Sequence, residues 1–336
     1  MPPAPQATLV TGATGFVGSA VARALLARGH ALRLLVRPGA DHRNIAGLPA
    51  ELAEGDLLDP ASLTAAVAGC RFVVHVAADY RLWVPKPAAM LAANVDGART
   101  LMLAARDAGV ERIVYCSSVA ALGLIGNGVP GTEETPVHPE SIAGTYKRSK
   151  YLAEQVVRSL VRNDGVPAVI VNPSAPVGPR DIKPTPTGKM ILDAAAGRMP
   201  AYLDTGLNIV HVDDVALGHV LALERGRIGE AYILGGEDLG MAQLLAIIDD
   251  VMGRAGVRRT KLTRSALWPV AVGMEAVARV SKFQPLVTRE ILAMAKKRMF
   301  FSSAKARSEL GYAPRPPRQA IADAIAWFRA AGRLPA

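Results

Sequence analysis

Cysteine is almost missing: Cys70 and Cys116 are the only two in 336 residues. They offer neither a disulfide framework nor metal-ligand spacing, and suit a reducing compartment. Aromatic residues make up 5%, too few and too scattered for the stacked arrays that hold nucleic acid bases. No apolar run approaches the ~18–20 residues that a bilayer-spanning helix needs. The N-terminal MPPAPQATLVTGATG lacks a basic segment followed by an apolar one, so no secretory signal is expected and the cytoplasm is the expected location. Acid is scarce at one end only. Residues 251–336 hold 17 Lys and Arg against 4 Asp and Glu, whereas residues 1–250 hold 22 against 25. The net charge of +10 is therefore wholly C-terminal. That excess reads as a basic solvated face, with attraction to anionic headgroups, and so peripheral contact at an inner membrane, as the alternative. Nucleic acid is not an expected partner.

Half the residues are apolar and a fifth are charged, a globular balance. In the first half, short β-branched runs alternate with helical patterns. ATLVTG, ALRLLVR, AELAEGD, RFVVHVAA, RIVYCSS and AVIVNP read as strands covered on both faces of a parallel sheet. Between them FVGSAVARALLARG, PASLTAAVAG, PAAMLAANVDGARTLMLAARDAG and AGTYKRSKYLAEQVVRSLVRNDG read as helices, several closed by glycine. Repeated strand–helix units imply an α/β, Rossmann-type doubly wound sheet. Residues 1–173 are expected to form the nucleotide-binding domain, with 207–236 returning to it. The proline-rich 174–206 and the mainly helical 237–336 are expected to build a smaller substrate lobe across a cleft.

VTGATGFVG lies where the first strand meets the first helix. Gly12, Gly15 and Gly18 permit a tight turn, close approach of backbone to a pyrophosphate, and a helix N-terminus aimed at the anion. The second strand ends LLVRPG. Val36 stands where an NAD-specific chain often carries an acid for the ribose hydroxyls, and Arg37 follows. A guanidinium suits a 2′-phosphate, so NADP is the favoured cofactor and NAD the alternative.

TGATGFVG together with YKRSK, followed in order by EGDLLD, VVHVAA, NVDG, YCSS, NPSAPVGP and HVDDVA, resembles the extended short-chain dehydrogenase/reductase superfamily over nearly the whole chain. AADYRLWVPKPAAMLAANVDGA and FSSAKARSELGYAPR are most similar to the hopanoid-associated sugar epimerase group, itself similar to dihydroflavonol-4-reductases. The resemblance implies a dinucleotide held by Gly12, Thr14, Gly15, Phe16, Val17, Gly18, Arg37, Asp56, Leu57, Ala77, Ala78, Asn94, Ser117, Tyr146, Lys150 and Pro173. Asp56 and Leu57 would flank the adenine, and Lys150 would hydrogen-bond the nicotinamide ribose. Ser118, Tyr146 and Lys150 would be the catalytic residues, with Ser117 the runner-up to Ser118.

Tyr146 and Lys150 share a helix face at four-residue spacing. A free phenol titrates near pH 10, so the lysine charge one turn away is expected to pull the Tyr146 pKa down toward neutrality. The Asn94 amide either supports a water chain or satisfies buried backbone. His75, in an apolar strand, reads as a satisfied core histidine. His211, Asp213 and Asp214 invite a metal reading, but an N-cap role explains Asp213 without one, and no metal is expected.

The implied reaction is hydride transfer at a carbinol or carbonyl carbon. Ser118 is followed by Val119 and Ala120 rather than by an acid pair, which disfavours dehydration. Epimerisation of a sugar or lipid-linked sugar and NADPH-dependent reduction of a carbonyl compound both remain open. A non-catalytic NADP-binding regulator or scaffold is the third reading, opposed by the presence of both Tyr146 and Lys150. Tyr80, Arg81, Trp83, Lys86, Arg180 and Lys183 either line the substrate pocket or are loop-surface residues, and a homodimer is compatible with the sequence.

Overall fold

The computed structural model describes residues 6–81, 87–142, 144–254, 256–281, 289, 292 and 298–335. Chain order begins β1 (Ala7–Thr11), α1 (Phe16–Ala27), β2 (Leu32–Val36), β3 (Ala50–Glu54), α2 (Pro60–Val67) and β4 (Cys70–His75). It continues through α3 (Pro87–Leu91), α4 (Gly97–Asp107), β5 (Arg112–Cys116), α5 (Thr145–Asp164) and β6 (Ala168–Pro173). Then come β7 (Ala175–Val177), α6 (Pro186–Ala195), β8 (Ala201–Leu203), β9 (Gly206–His211), α7 (Val212–Arg225) and β10 (Ala231–Leu234). The rest is β11 (Glu237–Gly240), α8 (Met241–Val251), β12 (Thr260–Leu262), α9 (Arg264–Val280) and the helices Ala304–Leu310 and Pro317–Ala330.

Seven strands form one sheet in the order β10-β6-β5-β4-β1-β2-β3, and every neighbouring pair is parallel. Alternate side chains feed opposite layers. Val10, Val74, Val114 and Val171 pack toward α1 and α7. Leu9, Val73, Ile113 and Ile170 pack toward α2, α4 and α5. That two-faced burial is why these strands lack polar alternation. Each fully buried Leu or Ile contributes roughly 1.5–3 kcal/mol relative to an exposed one.

β3 departs from the expectation. It is the sheet edge, with one exposed or half-buried residue after another. Leu52 is 51% exposed there, because an edge strand has cover on fewer sides. The 87–109 helix is also not continuous: a π-helical turn at Ala92–Asp96 separates α3 from α4. A single inserted residue leaves the apolar pattern nearly unchanged, so the sequence hides it.

Within 207–236, β10 joins the large sheet beside β6, and α7 packs on α1. β9 instead pairs with β7 and β11 in a three-stranded sheet. A third core, including Ile191, Ile209, Leu245, Ile248, Ile325 and Phe328, unites that sheet with α6, α8 and the last helix.

Candidate functional site

Strand order reverses between β1 and β4, which opens a crevice above their C-terminal ends. The glycine turn fills its floor. Gly12 has φ of 75°, and a Cβ there would lie 2.6 Å from the Ala77 amide nitrogen. A Cβ on Gly18 would stand 2.1 Å from the Gly12 carbonyl oxygen. The turn closes by a 2.9 Å bond from Gly15 N–H to that same oxygen. Gly15 caps α1 without any side-chain acceptor, and no acid stands in the first turn. The N–H groups at Phe16, Val17 and Gly18 are thus left for an anion. This cradle suits a dinucleotide pyrophosphate.

Asn44 supports the turn and was not anticipated. It is buried, donates to the Thr14 carbonyl (3.2 Å), and its own carbonyl accepts from Arg23 (2.8 Å). It stands in a loop between Arg43 and Ile45, with no motif to mark it. Around the rim, Arg37 is exposed just past β2, close enough to help hold the Asp79 carboxyl below its usual range behind the stronger effect of Arg81. The Asp56 carboxylate accepts from Leu58 N–H at 2.9 Å, and Leu57 packs over Gly97. Ala77 N–H donates to the Thr11 hydroxyl at 3.2 Å. Ala78 is half-buried beyond it, and Pro173 ends β6.

Asn94 lies on the π-helical turn. Its carbonyl accepts from Asp79 N–H (2.7 Å), and its amide donates to the Asp79 carbonyl and the Ser149 hydroxyl (both 2.9 Å). In this way Asn94 staples the loop after β4 to α5. Ser149 passes the connection on by donating to the Tyr146 carbonyl (2.7 Å).

Tyr146 sits in the first turn of α5, with Ser118 near enough to pull the pKa of its phenol down. Lys150 is 4% exposed and donates to the Cys116 carbonyl at 2.9 Å. Ser117 turns the other way and donates to Glu154 at 2.6 Å. The geometry therefore separates the two serines, with only Ser118 at the phenol. The expected lowering of the Tyr146 pKa is absent: burial pushes it up to about 12, against a smaller downward pull from Ser118. Burial likewise lowers Lys150 from its ordinary value, opposed by Cys116 and Glu154. Lys150 is not among the groups that act on the half-buried Tyr146, so desolvation sets the direction of the shift.

Glu154 went unrecognised in the sequence. It is 2% exposed and accepts from Ser117, from Asn172 (2.8 Å) and from Arg158 (2.8 and 3.0 Å). The available signal was its spacing: an acid four residues after Lys150, on the face carrying Ala153 and Val157.

His75 accords with a satisfied core residue. Its Nδ1 lies 2.7 Å from the Thr11 hydroxyl, and burial, then the Lys150 charge, drops its pKa to about 3. Asp213 is not the cap of α7. His211 holds that position, its Nδ1 accepting from Asp213 N–H (3.0 Å) and its Nε2 lying 3.1 Å from Asp323. Asp213 pairs with Arg180, and Asp214 with Arg315. Near the cleft Tyr80 is 43% exposed and Arg81 pairs with Asp79, while Lys183 lies near Asp41. Trp83 and Lys86 fall outside the described residues.

Comparison with known proteins agrees with this architecture. A chain from Synechocystis sp., provisionally named a dihydroflavonol 4-reductase, is 40% identical over 95% of this chain and 94% of its own. The solved structure of gox2253 is 63% identical, with a TM-score of 0.88 over 98% of this chain and 99% of its own. A nucleoside-diphosphate-sugar epimerase from Pseudomonas aeruginosa is 29% identical, with a TM-score of 0.79 over 98% and 100%. Residues 8–235 match the model of the NAD dependent epimerase/dehydratase family. The chain belongs to that family of extended short-chain dehydrogenase/reductase enzymes.

Proposed function

We propose that this enzyme moves hydride between NAD(P) and a carbinol or carbonyl carbon, with Ser118, Tyr146 and Lys150 as its working residues. The observation that carries the reading is the placing of Ser118 beside the Tyr146 phenol, backed by the buried Lys150 one helical turn on. The glycine cradle would take the pyrophosphate, with Arg37 at the adenosine ribose and Asp56, Leu57, Ala77, Ala78, Asn94, Ser117 and Pro173 lining the way to the triad. Bound NAD(P) supplies or accepts the hydride. Ser118 orients the substrate oxygen, and the Tyr146 hydroxyl gives or takes its proton. Lys150 keeps positive charge beneath the phenol.

Net reduction of a ketone or aldehyde is placed first, because the relative bearing a reductase name shares 40% of its residues over 95% of this chain. Epimerisation of a sugar or lipid-linked sugar is the second reading, favoured by the Pseudomonas epimerase fold at 29% identity. One experiment separates them. The purified protein is offered NADPH or NADH with a panel of ketones, and separately a panel of nucleotide sugars. A reductase consumes reduced nucleotide in proportion to product; an epimerase holds its nucleotide through gel filtration and consumes none. Either way Tyr146→Phe should slow turnover by about 10²–10⁴-fold. Turnover by that variant at the wild-type rate would sink the triad.

A further inference from the structure

The solvent face of α9 is apolar. Trp268, Val270, Val272 and Val277 are 52%, 46%, 44% and 52% exposed, and the other outward positions between them are small residues or proline. Between residues 265 and 278 the one ionisable side chain is Glu275. It points inward and accepts from the Arg289 backbone N–H (2.6 Å) and guanidinium (2.7 Å). The inward face of the helix carries Ala271 and Glu275, both buried. Its outer face thus inverts the pattern of an ordinary surface helix, which keeps charge toward water.

Cations border this face. Arg258 and Arg264 are exposed, and among the described residues neither meets a carboxylate. Arg259 and Lys261, also basic in the same stretch, are engaged: Arg259 with Asp249 (2.8 Å) and Lys261 with Asp204 (2.7 Å).

We propose that α9 seats the protein on an anionic phospholipid surface. Trp268 and the valines would lie at the level of the headgroups and upper acyl chains, with Arg258 and Arg264 meeting lipid phosphates. Among the described residues no helix is long and apolar enough to cross a membrane, so the contact is peripheral. Charge selects lipid over a second copy of the chain. A two-fold contact through this face would bring the exposed Arg258 and Arg264 of one copy toward those of the other.

The test is flotation of the full-length protein with vesicles of phosphatidylcholine alone, or with a third of it replaced by phosphatidylglycerol. The protein should float with the mixed vesicles, not the neutral ones, and be released as salt rises toward about 1 M. Arg258→Glu with Arg264→Glu should weaken binding by at least about fivefold for each position changed. Trp268→Ser with Val272→Ser should weaken it about tenfold on the same vesicles. Unchanged melting temperatures show that the variants fold. If the Trp268 pair lowers melting, Val270→Ser with Val277→Ser reads the same face. Absence of wild-type flotation, or flotation indifferent to these substitutions, overturns the proposal. So does a lipid-free dimer, seen by light scattering, that Trp268→Ser with Val272→Ser splits.

Discussion

Asn172 holds Ser118 by its backbone: the asparagine amide lies 3.1 Å from the Ser118 carbonyl and 2.8 Å from the Glu154 carboxylate. The strand end that presents Ser118 is therefore anchored to a buried anion on α5, the helix that also carries Tyr146 and Lys150. Replacing Glu154 by Leu strands the Arg158 guanidinium and the Ser117 and Asn172 donors. A loss of about 3–5 kcal/mol is expected, the usual cost of breaking a buried charged set by removing one member. Glu154→Gln keeps the shape and an acceptor, and should lose less, about 1–3 kcal/mol. Urea denaturation checks both. Because Ser118 is displaced with the network, turnover in Glu154→Leu should fall about tenfold or more even where the protein is fully folded.

The buried histidines fix how stability responds to acid. The Thr11 hydroxyl accepts from Ala77 N–H and lies 2.7 Å from Nδ1 of His75, whose burial keeps the ring neutral. His219 donates from Nδ1 to the Val215 carbonyl at 2.8 Å. Burial drops these two to about 3 and about 4, from 6.5. In both cases the unfolded chain binds the proton more readily, so stability is fully present above about pH 6.5 and declines as pH falls toward the folded-state values. Each histidine contributes a slope of about 1.4 kcal/mol per pH unit within that window. Chemical denaturation between pH 7 and 4 measures it. His75→Gln should flatten the slope by about one proton, whatever it does to stability at pH 7.

The parts of this molecule legible in its sequence are those set by local repetition. Continuous apolar runs marked β1, β2, β4, β5 and β6 because both faces of those strands are covered, and glycine spacing marked the turn at Gly12. What the sequence concealed depends on three-dimensional neighbours. AELAE gives no sign that β3 is an edge, since edge position is decided by strand order. Tyr146–Lys150 spacing is plain, yet the direction of the Tyr146 shift follows from burial, which spacing does not encode. Glu154 and Asn172 stand 18 residues apart and become one network only when α5 packs behind β6. The apolar stretch of α9 and the basic residues before it can be read from the sequence, while the ion pairs that engage Arg259 and Lys261 cannot.

Gly18 tests the nucleotide cradle more sharply than its neighbours. An added methyl would meet the Gly12 carbonyl oxygen at 2.1 Å, and the Gly12 peptide cannot retreat because Ala77 stands behind it. At Gly15 the same addition meets that oxygen at 3.2 Å, which a small shift relieves. Gly18→Ala should therefore abolish measurable NAD(P)H binding by fluorescence titration, while Gly15→Ala weakens it about tenfold or less. Equal affinities for the two variants would mean that the pyrophosphate lies elsewhere.

Arg37 is the residue through which the proposed preference for NADP can be tested. It is exposed at the C-terminal end of β2, beside a loop whose carboxylate, Asp79, is already occupied by Arg81. No acid occupies the adjacent position, which is Val36. A 2′-phosphate there would gain a charge-assisted, two-pronged hydrogen bond, and NAD would lose nothing by its absence. Arg37→Ala should accordingly weaken NADPH about tenfold or more and leave NADH nearly unchanged. Arg37→Asp should go further, repelling the phosphate while offering an acceptor to the ribose hydroxyls, so that NADH becomes the tighter ligand. Titrating both nucleotides against wild type and the two variants reads this directly. If NADH binds wild type more tightly than NADPH, and Arg37→Ala changes neither, the guanidinium has no part in cofactor choice and NAD is the working cofactor.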